Sequence, residues 1–254
     1  MHVCRTRFKK DVVTEFMVPK NPRSGKVMIF CAGVPGVPHK DEVLDFWARE
    51  GYWTFFPRYR GTWESSGTFL KESPEKVIFD VLESLPNGFK DYWSSKNFYV
   101  HPEHVTVVGS SFGGPAAILS TLDPRVHKAI CISPVVDWVA EDKADPIDNL
   151  YRLLKEAYGG AYRLHKAGCS RLKSGTFYNP AQFVKQLDGK KLFIFHAQND
   201  QIVHYAPVLK FSKEVGCQLV TFKRGGHLSS TLLMQAHHSR RIQKFLKSSS
   251  PQAS

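Results

Sequence analysis

The stretch His104-Val-Thr-Val-Val-Gly-Ser-Ser-Phe-Gly-Gly114 decides how the rest of the chain is interpreted. The β-branched residues 105–108 predict a short strand that stops at Gly109, and a helix is predicted over residues 112–122. Residues 109–113 follow the pattern G-x-S-x-G, in which a serine lies on a sharp turn between a strand and a helix. The backbone of such a turn is strained, so its neighbours must be small. An ordinary turn between a strand and a helix can carry the same small residues, so the pattern needs support from other segments.

Ser111 is the residue of this turn that can carry chemistry. The turn lifts its hydroxyl clear of the sheet and places it beside the N-terminus of the predicted helix. Free backbone N–H groups at a helix N-terminus favour developing negative charge. Ser111 is therefore the candidate nucleophile, and Ser110 only precedes it.

Strands alternate with helices along most of the chain. Strands are predicted over residues 2–8, 12–18, 26–32, 52–57, 105–108, 128–133, 191–196 and 218–222. Helices are predicted over residues 42–50, 74–85, 112–122, 205–215 and 229–246. This alternation is typical of an α/β fold with a mostly parallel sheet of about eight strands and helices on both faces. In such sheets functional residues gather at the carboxyl ends of the strands.

Residues 138–180 depart from this alternation. They carry helical patterns over 150–158 and 162–172, separated by Gly159-Gly160. The segment is longer than a usual connection between elements. We therefore predict a small helical cap, inserted into a single domain that spans residues 1–254.

Composition excludes several classes of protein. With 254 residues, 42% hydrophobic and 23% charged, the chain suits one sizeable soluble α/β domain. No apolar run approaches the roughly 18 to 20 residues that span a bilayer, and the basic N-terminus lacks the apolar region of a secretory signal. We expect no membrane span and a cytoplasmic location.

The pattern of the five cysteines is also typical of a protein of the cytoplasm. They are odd in number and show no C-x-x-C spacing, and Cys31 and Cys131 lie in apolar, strand-like runs. Cysteine in such runs behaves as a small hydrophobic residue. This usage favours a reducing compartment and argues against both a disulfide framework and a zinc site.

The formal net charge of +12 is the unusual feature of the composition. Such a charge favours anionic substrates, membranes or nucleic acids. The lysines and arginines are nevertheless scattered, and the chain has no motif for nucleic-acid binding. We expect a basic solvated surface and no nucleic-acid partner.

Two further residues follow strand ends in the positions that a serine nucleophile requires. A serine hydroxyl is weakly nucleophilic and needs a base that is itself oriented by an acid. Asp200 follows the strand over 191–196, and His227 follows the strand over 218–222. The order serine, aspartate, histidine is that of the α/β-hydrolases. Asp137, which follows the strand over 128–133, is an alternative acid.

The sequence resembles an α/β-hydrolase across essentially the whole chain. It is similar to small serine hydrolases related to the catalytic domain of the prolyl oligopeptidase family and to dienelactone hydrolase-like proteins. The resemblance is carried by Ala32-Gly-Val-Pro-Gly36, by residues 58–67, by the serine turn, and by His196-Ala-Gln-Asn-Asp-Gln-Ile-Val203 with Gly226-His227. It implies Ser111 as nucleophile, His227 as base and Asp200 as acid.

The chain departs from many such relatives at two dipeptides, one of which precedes the expected oxyanion loop. They have His-Gly where this chain has Ala32-Gly33, and also where it has His196-Ala197. The first change removes a side chain but no backbone donor, so an oxyanion hole of two backbone N–H groups stays possible. One donor is expected from Phe112, directly after the nucleophile. Pro35 has no N–H, so Val34 is the expected second donor.

Other residues near the predicted site have two interpretations. His196 and His204 flank the acid and are interpreted as structural. Arg60 and Glu64 either contact the substrate or brace their own loop, and Trp63 either lines a pocket or packs.

The function implied is hydrolysis of an ester or related acyl bond of a small molecule, through an acyl-enzyme on Ser111. No cofactor and no metal are implied. The alternatives are a small peptidase or amidase of the prolyl oligopeptidase type and a non-catalytic binding protein with a hydrolase fold. Apolar side chains of the predicted cap suit a short or medium acyl group. Its basic residues either form a rim that attracts an anionic leaving group or belong to the solvated outer face.

Overall fold

An eight-stranded sheet runs through the computed structural model, which describes residues 2–141 and 147–248. The strands of the described residues are Cys4–Phe8 (β1), Val12–Met17 (β2), Lys26–Cys31 (β3), Trp53–Pro57 (β4), Phe89–Lys90 (β5), Asn97–Phe98 (β6), His104–Ser110 (β7), Lys128–Ile132 (β8), Leu192–Ala197 (β9) and Gln218–Phe222 (β10). The order in the main sheet is β1-β2-β4-β3-β7-β8-β9-β10. In this sheet β2 pairs antiparallel with β1 and with β4, and the remaining pairs of neighbouring strands are parallel. The predicted mostly parallel sheet of about eight strands is confirmed.

Helices cover both faces of this sheet. They are Asp41–Arg49 (α1), Lys76–Ser84 (α2), Gly113–Ser120 (α3), Trp138–Glu141 (α4), Ile147–Leu153 (α5), Lys166–Ser170 (α6), Tyr205–Val215 (α7) and Ala236–Lys247 (α8). Short turns of 3-10 helix lie at Leu85–Asn87, Gly159–Ala161, Arg171–Ser174, Pro180–Phe183, Gly189–Lys191 and Ser230–Met234, with one π-helical turn at Leu154–Tyr158. Within the described ranges, no helix combines the length and the apolar character needed to cross a membrane.

The two faces of the sheet bury separate apolar cores because side chains alternate along each strand. Val107 of β7 belongs to the core on one face, together with residues of α2, α3 and the segment 164–178. Val108 packs on the other face with α1 and α8. A strand that is buried on both faces needs apolar residues at consecutive positions, which explains the continuous run in β7. All eight residues of α3 are buried as well.

The predicted helix over 229–246 is wrong as a single element. A 3-10 turn over Ser230–Met234 comes first, capped by the Ser229 side chain, which accepts a hydrogen bond from the Thr231 N–H. Gln235 then adopts an extended conformation, with φ −66° and ψ 127°, and α8 begins after it. The hairpin of β5 and β6 was not predicted, since two-residue strands leave no periodic pattern.

The predicted helix over 162–172 is also wrong at its start. Backbone hydrogen bonds join this region to the loop after β4: the Trp63 N–H donates to the Ala161 carbonyl at 2.7 Å, and the Arg163 N–H donates to the Gly61 carbonyl at 2.8 Å. These long-range bonds hold the chain extended, so α6 begins only at Lys166. Within the predicted cap over 138–180, residues 142–146 lie outside the described residues, and the cap itself stays a prediction.

Candidate active site

Ser111 lies between β7 and α3 with its backbone in the left-handed region, at φ +53°. For a residue with a side chain this conformation costs about 1–3 kcal/mol and persists only where the surroundings impose it. Here the Ser111 N–H donates to the Ile132 carbonyl at 2.9 Å, and the Ser111 carbonyl accepts from the N–H groups of Gly114 at 2.9 Å and Val135 at 3.2 Å. The end of β8 and the start of α3 therefore hold the serine turn from both sides.

Close backbone contacts explain the glycines around Ser111. A Cβ atom on Gly109 would lie 2.1 Å from the Gly113 carbonyl oxygen. A Cβ atom on Gly113 would lie 2.4 Å from the Cys31 carbonyl oxygen. Helix α3 thus approaches β7 and β3 so closely that only glycine fits at these two positions. These contacts explain why the G-x-S-x-G pattern begins and ends with glycine.

Asp200 and His227 form a hydrogen-bonded pair beyond the carboxyl ends of the neighbouring parallel strands β9 and β10. The His227 Nδ1 atom lies 2.9 Å from Asp200 Oδ2 and 3.1 Å from Oδ1. The carboxylate also accepts the N–H groups of Ile202 at 3.0 Å and Val203 at 3.1 Å. The Asp200 side chain is fully buried, whereas that of His227 is 28% exposed.

These bonds set the charge of the pair. Burial alone raises the pKa of Asp200, but the hydrogen bonds from His227 and from the Val203 N–H outweigh it and lower the pKa to about 2. Asp200 is therefore ionised at neutral pH, and Nδ1 of His227 is the donor in their hydrogen bond. Nε2 of His227 is left as the ring atom that can accept a proton.

Ser111 lies at the same edge of the sheet as this pair, and the loop after β8 connects the two. This loop bonds to the serine turn through Val135, and its Ser133 Oγ accepts the Leu228 N–H at 3.2 Å, next to His227. Within the described part of the chain, Ser111 Oγ itself makes no hydrogen bond to His227. Serine–histidine bonds in such sites are often long and tighten only when substrate binds.

Within residues 2–141 and 147–248, two residues with unpaired backbone N–H groups line the same small pocket. Among the described residues, the N–H groups of Val34 and Phe112 donate to no protein acceptor, and both residues line the pocket that contains Ser111. Gly36, two residues after Val34, is held by Tyr162 and Trp63. The Tyr162 hydroxyl lies 3.1 Å from both the backbone nitrogen and the carbonyl oxygen of Gly36, and Trp63 Nε1 donates to that oxygen at 3.2 Å.

The pocket beside Ser111 has a cavity volume of about 60 Å³ and is mainly apolar. Its lining residues are Val34, Ser111, Phe112, Val135, Trp138, Glu141, Ile147, Leu150, Ile202 and Val203. A larger cleft of about 850 Å³, which includes Arg5, Glu15 and Trp93, contains neither Ser111 nor His227. The smaller pocket is thus the one that the strained serine lines.

The alternative acid, Asp137, bonds to a backbone N–H group and to an asparagine side chain. Its Oδ1 accepts the Val139 N–H at 3.1 Å, at the start of α4, and the Asn179 Nδ2 at 3.3 Å. Among the described residues it bonds to no histidine. The two flanking histidines bond to other parts of the protein: His196 Nε2 bonds to the Val203 carbonyl at 3.0 Å, and His204 Nδ1 lies 3.2 Å from Glu141 Oε2.

The charged residues of the loop after β4 brace that loop. Arg60 pairs with Asp11 at 2.6 Å and with Asp80 at 2.7 Å. Glu64 pairs with the buried Arg58 at 2.5 Å.

Basic residues of the segment after α4 also bond to this loop. Arg163 donates to the Trp63 carbonyl at 2.9 Å. Arg171 donates to the Lys71 carbonyl at 2.9 Å. Neither arginine lines the Ser111 pocket.

Sequence reasoning missed Glu141 and Tyr178. The Tyr178 hydroxyl donates to the Phe112 carbonyl at 2.7 Å, across 66 residues of sequence. No local pattern marks a contact over such a separation.

Among the described residues, no group of three or more histidine, cysteine, aspartate or glutamate side chains could hold a metal ion.

Comparison with solved structures relates this fold to known proteins. An esterase of Pyrococcus furiosus is 16% identical, with a TM-score of 0.67, over 97% of this chain and 90% of that chain. Est1E of Butyrivibrio proteoclasticus, with ferulic acid bound, is 18% identical, with a TM-score of 0.66, over 96% of this chain and 99% of that chain. An acylaminoacyl peptidase of Pyrococcus horikoshii is 17% identical, with a TM-score of 0.67, over 96% of this chain but 40% of that chain.

Identities this low establish the shared fold alone. Comparison of the sequence with curated proteins finds no match. The family model of the prolyl oligopeptidase family, however, matches residues 38–251, which is most of the chain. The resemblance inferred from the sequence is thereby confirmed. The chain belongs to the prolyl oligopeptidase family and is a serine hydrolase with the α/β-hydrolase fold.

Proposed function

We propose that this serine hydrolase cleaves carboxylic esters of small acyl groups, with Ser111 as nucleophile, His227 as base and Asp200 as acid. The observation that carries the proposal is the buried Asp200 carboxylate bonded to His227 Nδ1, at the sheet edge where Ser111 lies on its strained turn. An ionised, buried acid of this kind holds the imidazole in the tautomer that can accept a serine proton.

The reaction proceeds in two stages. Ser111 Oγ attacks the ester carbonyl carbon while His227 Nε2 takes the hydroxyl proton. The oxyanion of the tetrahedral intermediate accepts hydrogen bonds from the N–H groups of Val34 and Phe112. His227 then gives its proton to the leaving alcohol, and the acyl-enzyme remains on Ser111. In the second stage water attacks the acyl carbon, His227 takes its proton and returns it to Ser111, and the carboxylic acid leaves.

The size of the pocket favours an ester of a short acyl group. A cavity of about 60 Å³ with mainly apolar walls accommodates a few heavy atoms. Trp138, Ile147 and Leu150 belong to the segment 138–180, which we propose as a cap of a single domain. The near-complete overlap with an esterase, against 40% coverage of the acylaminoacyl peptidase, supports the same choice. Peptidase or amidase activity is the second candidate, because the family includes peptidases.

A small-molecule acyl substrate is the partner that this proposal requires. A cytoplasmic location and the absence of a nucleic-acid partner stay predictions. Among the described residues, no basic side chain lines the Ser111 pocket, and the proposed mechanism makes no use of the scattered positive charge.

Labelling with a fluorophosphonate probe, followed by a substrate panel, tests the proposal. We expect the wild-type chain to be labelled on Ser111 and to hydrolyse p-nitrophenyl esters of two to four carbons faster than longer esters. Aminoacyl arylamides should be cleaved much more slowly. Faster cleavage of arylamides would favour the peptidase. Failure of labelling, in a chain that is folded by circular dichroism, would contradict the serine mechanism.

A further inference from the structure

A buried carboxyl group lines the Ser111 pocket. Glu141, at the end of α4, is 5% exposed. Its Oε2 atom accepts the His204 N–H at 3.1 Å and lies 3.2 Å from His204 Nδ1. Its Oε1 atom is buried and, within the described ranges, has no hydrogen-bond partner. Among the ten described residues that line the pocket, Glu141 and Ser111 are the two whose side chains carry oxygen.

The contacts of Oε2 account for only one of the two carboxyl oxygens of Glu141. That oxygen joins α4 to His204, the residue before α7. A side chain with a single acceptor atom could do the same without leaving a second polar atom unpaired. Buried polar atoms without a partner are unfavourable and uncommon in folded proteins. An orphan oxygen on a side chain that lines the pocket is therefore best explained by a ligand group that completes its hydrogen bonding.

We propose that Glu141 is a specificity-determining residue that binds a hydroxyl group on the acyl part of the substrate. The proposal rests on the proposed function, because it places the acyl group in the Ser111 pocket. It names hydroxyacyl esters as the preferred substrate class. Glu141 contacts the substrate but takes no part in bond making or bond breaking.

A hydroxyl fits this site better than an ammonium group. The pocket walls are apolar, so an ammonium group would lose its hydration with a single carboxyl group as compensation. Burial raises the pKa of Glu141, and the hydrogen bonds from His204 offset only part of the rise. A substrate hydroxyl can donate to the ionised carboxylate or accept from the protonated acid, because it is both donor and acceptor. An ammonium group can pair only with the ionised form.

Isosteric esters test the proposal directly. The p-nitrophenyl esters of isobutyrate, lactate and alanine place a methyl, a hydroxyl or an ammonium group at the same position, and butyrate, 3-hydroxypropionate and β-alanine do so one carbon further. We expect kcat/KM of wild type to be at least about tenfold higher for one of the hydroxyacyl esters than for its methyl isostere. Equal values in both sets, or a preference for the ammonium esters, would overturn the proposal.

Two variants and a matched control assign the preference to Glu141. Glu141→Leu should reduce the ratio of hydroxyacyl to methyl ester to one or below. Glu141→Gln, which keeps two polar atoms in the same shape, should retain most of it. The control is Asp148→Asn on α5, because Asp148 is 54% exposed and pairs with Lys173 outside the pocket. Loss of the preference in the control, or its survival in Glu141→Leu, would contradict the assignment.

Binding to a protein that cannot turn over separates this proposal from the proposed function. Ser111→Ala would be titrated with lactamide, isobutyramide and alaninamide by calorimetry, with Trp138 in the pocket as a fluorescent reporter. Tighter binding of lactamide to Ser111→Ala should be lost in the double variant Ser111→Ala/Glu141→Leu and retained in Ser111→Ala/Glu141→Gln. This result would support Glu141 even if Ser111 proved not to be the nucleophile. Equal binding of the three amides, in a chain that a fluorophosphonate labels, would overturn the hydroxyl site and leave the serine mechanism standing.

Discussion

The Tyr178 hydroxyl donates a hydrogen bond to the carbonyl oxygen of Phe112 at 2.7 Å. The same hydroxyl accepts the Ala116 N–H at 3.1 Å, so it is held by the first turn of α3. Phe112 directly follows Ser111. Tyr178 thereby fixes the peptide after Phe112 and limits rotation of the residue whose N–H we propose as an oxyanion donor.

Tyr178→Phe should weaken both the fold and catalysis. The change leaves a buried carbonyl and a buried N–H without their partner, which costs about 1–3 kcal/mol of unfolding free energy. Looser placement of the Phe112 N–H should lower kcat by about ten- to a hundredfold, with KM less affected. Urea unfolding and ester kinetics measure the two effects. Tyr205→Phe is the control, because its hydroxyl bonds to Thr221 at the surface; an unchanged kcat in Tyr178→Phe would contradict the positioning role.

Ser111→Ala should abolish hydrolysis while the fold is kept. In serine hydrolases the loss of the nucleophile reduces kcat by roughly a millionfold. The adjacent Ser110→Ala supplies the matched control and should retain labelling by a fluorophosphonate. Labelling that disappears with Ser110→Ala but survives Ser111→Ala would move the nucleophile by one residue.

Asp200→Asn should reduce kcat by about ten-thousandfold, because an amide can stabilise the wrong imidazole tautomer of His227. Asp137→Asn is the control, since Asp137 caps α4 and bonds to Asn179. Steady-state kinetics on a short ester distinguishes the two variants. Near-normal activity of Asp200→Asn together with a collapse in Asp137→Asn would show that the acid follows β8.

The low pKa of Asp200 predicts how stability depends on pH. The folded-state pKa of about 2 lies below the ordinary value of roughly 3.9. The ionised carboxylate therefore stabilises the folded protein fully above about pH 4, and this contribution is lost as the pH falls towards 2. Urea unfolding should show that the unfolding free energy of wild type exceeds that of Asp200→Asn by less at pH 2 than at pH 4. A constant difference over that range would mean that the charge of Asp200 contributes nothing.

Gly109→Ala should destabilise the protein by several kcal/mol or prevent folding, because the added Cβ would lie 2.1 Å from the Gly113 carbonyl oxygen. Gly160→Ala is the control: a Cβ there would meet nothing within 4 Å. Thermal unfolding of the purified variants measures both changes. A Gly109→Ala protein as stable as wild type would show that α3 can move away from β7 at no cost.

The buried strands and the order of the site residues were predictable because local sequence determines them. The run over β7 is apolar at consecutive positions, and Gly109 is required by its contact with Gly113, four residues later. Gly113 is required by the distant Cys31 carbonyl, and only the G-x-S-x-G pattern marked it in the sequence. Asp200 and His227 could be found because each comes a few residues after a strand, at an edge that the parallel topology brings together. The bond between their side chains needed the structure.

The parts that could not be predicted depend on distant contacts. The helical pattern over 162–172 fails at its start because residues of the loop after β4, about 100 positions earlier, bind its backbone. Glu141 gives no signal in sequence, since a single glutamate near a helix end is ordinarily exposed. The extended conformation of Gln235, which divides the last predicted helix, has no counterpart in the hydrophobic pattern.

The hydrogen bonds between the loop after β4 and the segment before α6 have a dynamic consequence. The amides of Trp63, Phe69 and Arg163 lie outside strands and helices, yet each donates to a carbonyl of the opposite segment, at 2.7, 2.7 and 2.8 Å. Their amide protons should exchange with deuterium slowly, in contrast to those of an ordinary loop. Because these bonds can open only when the two segments separate, the exchange rates at these three amides would report the free energy of that separation.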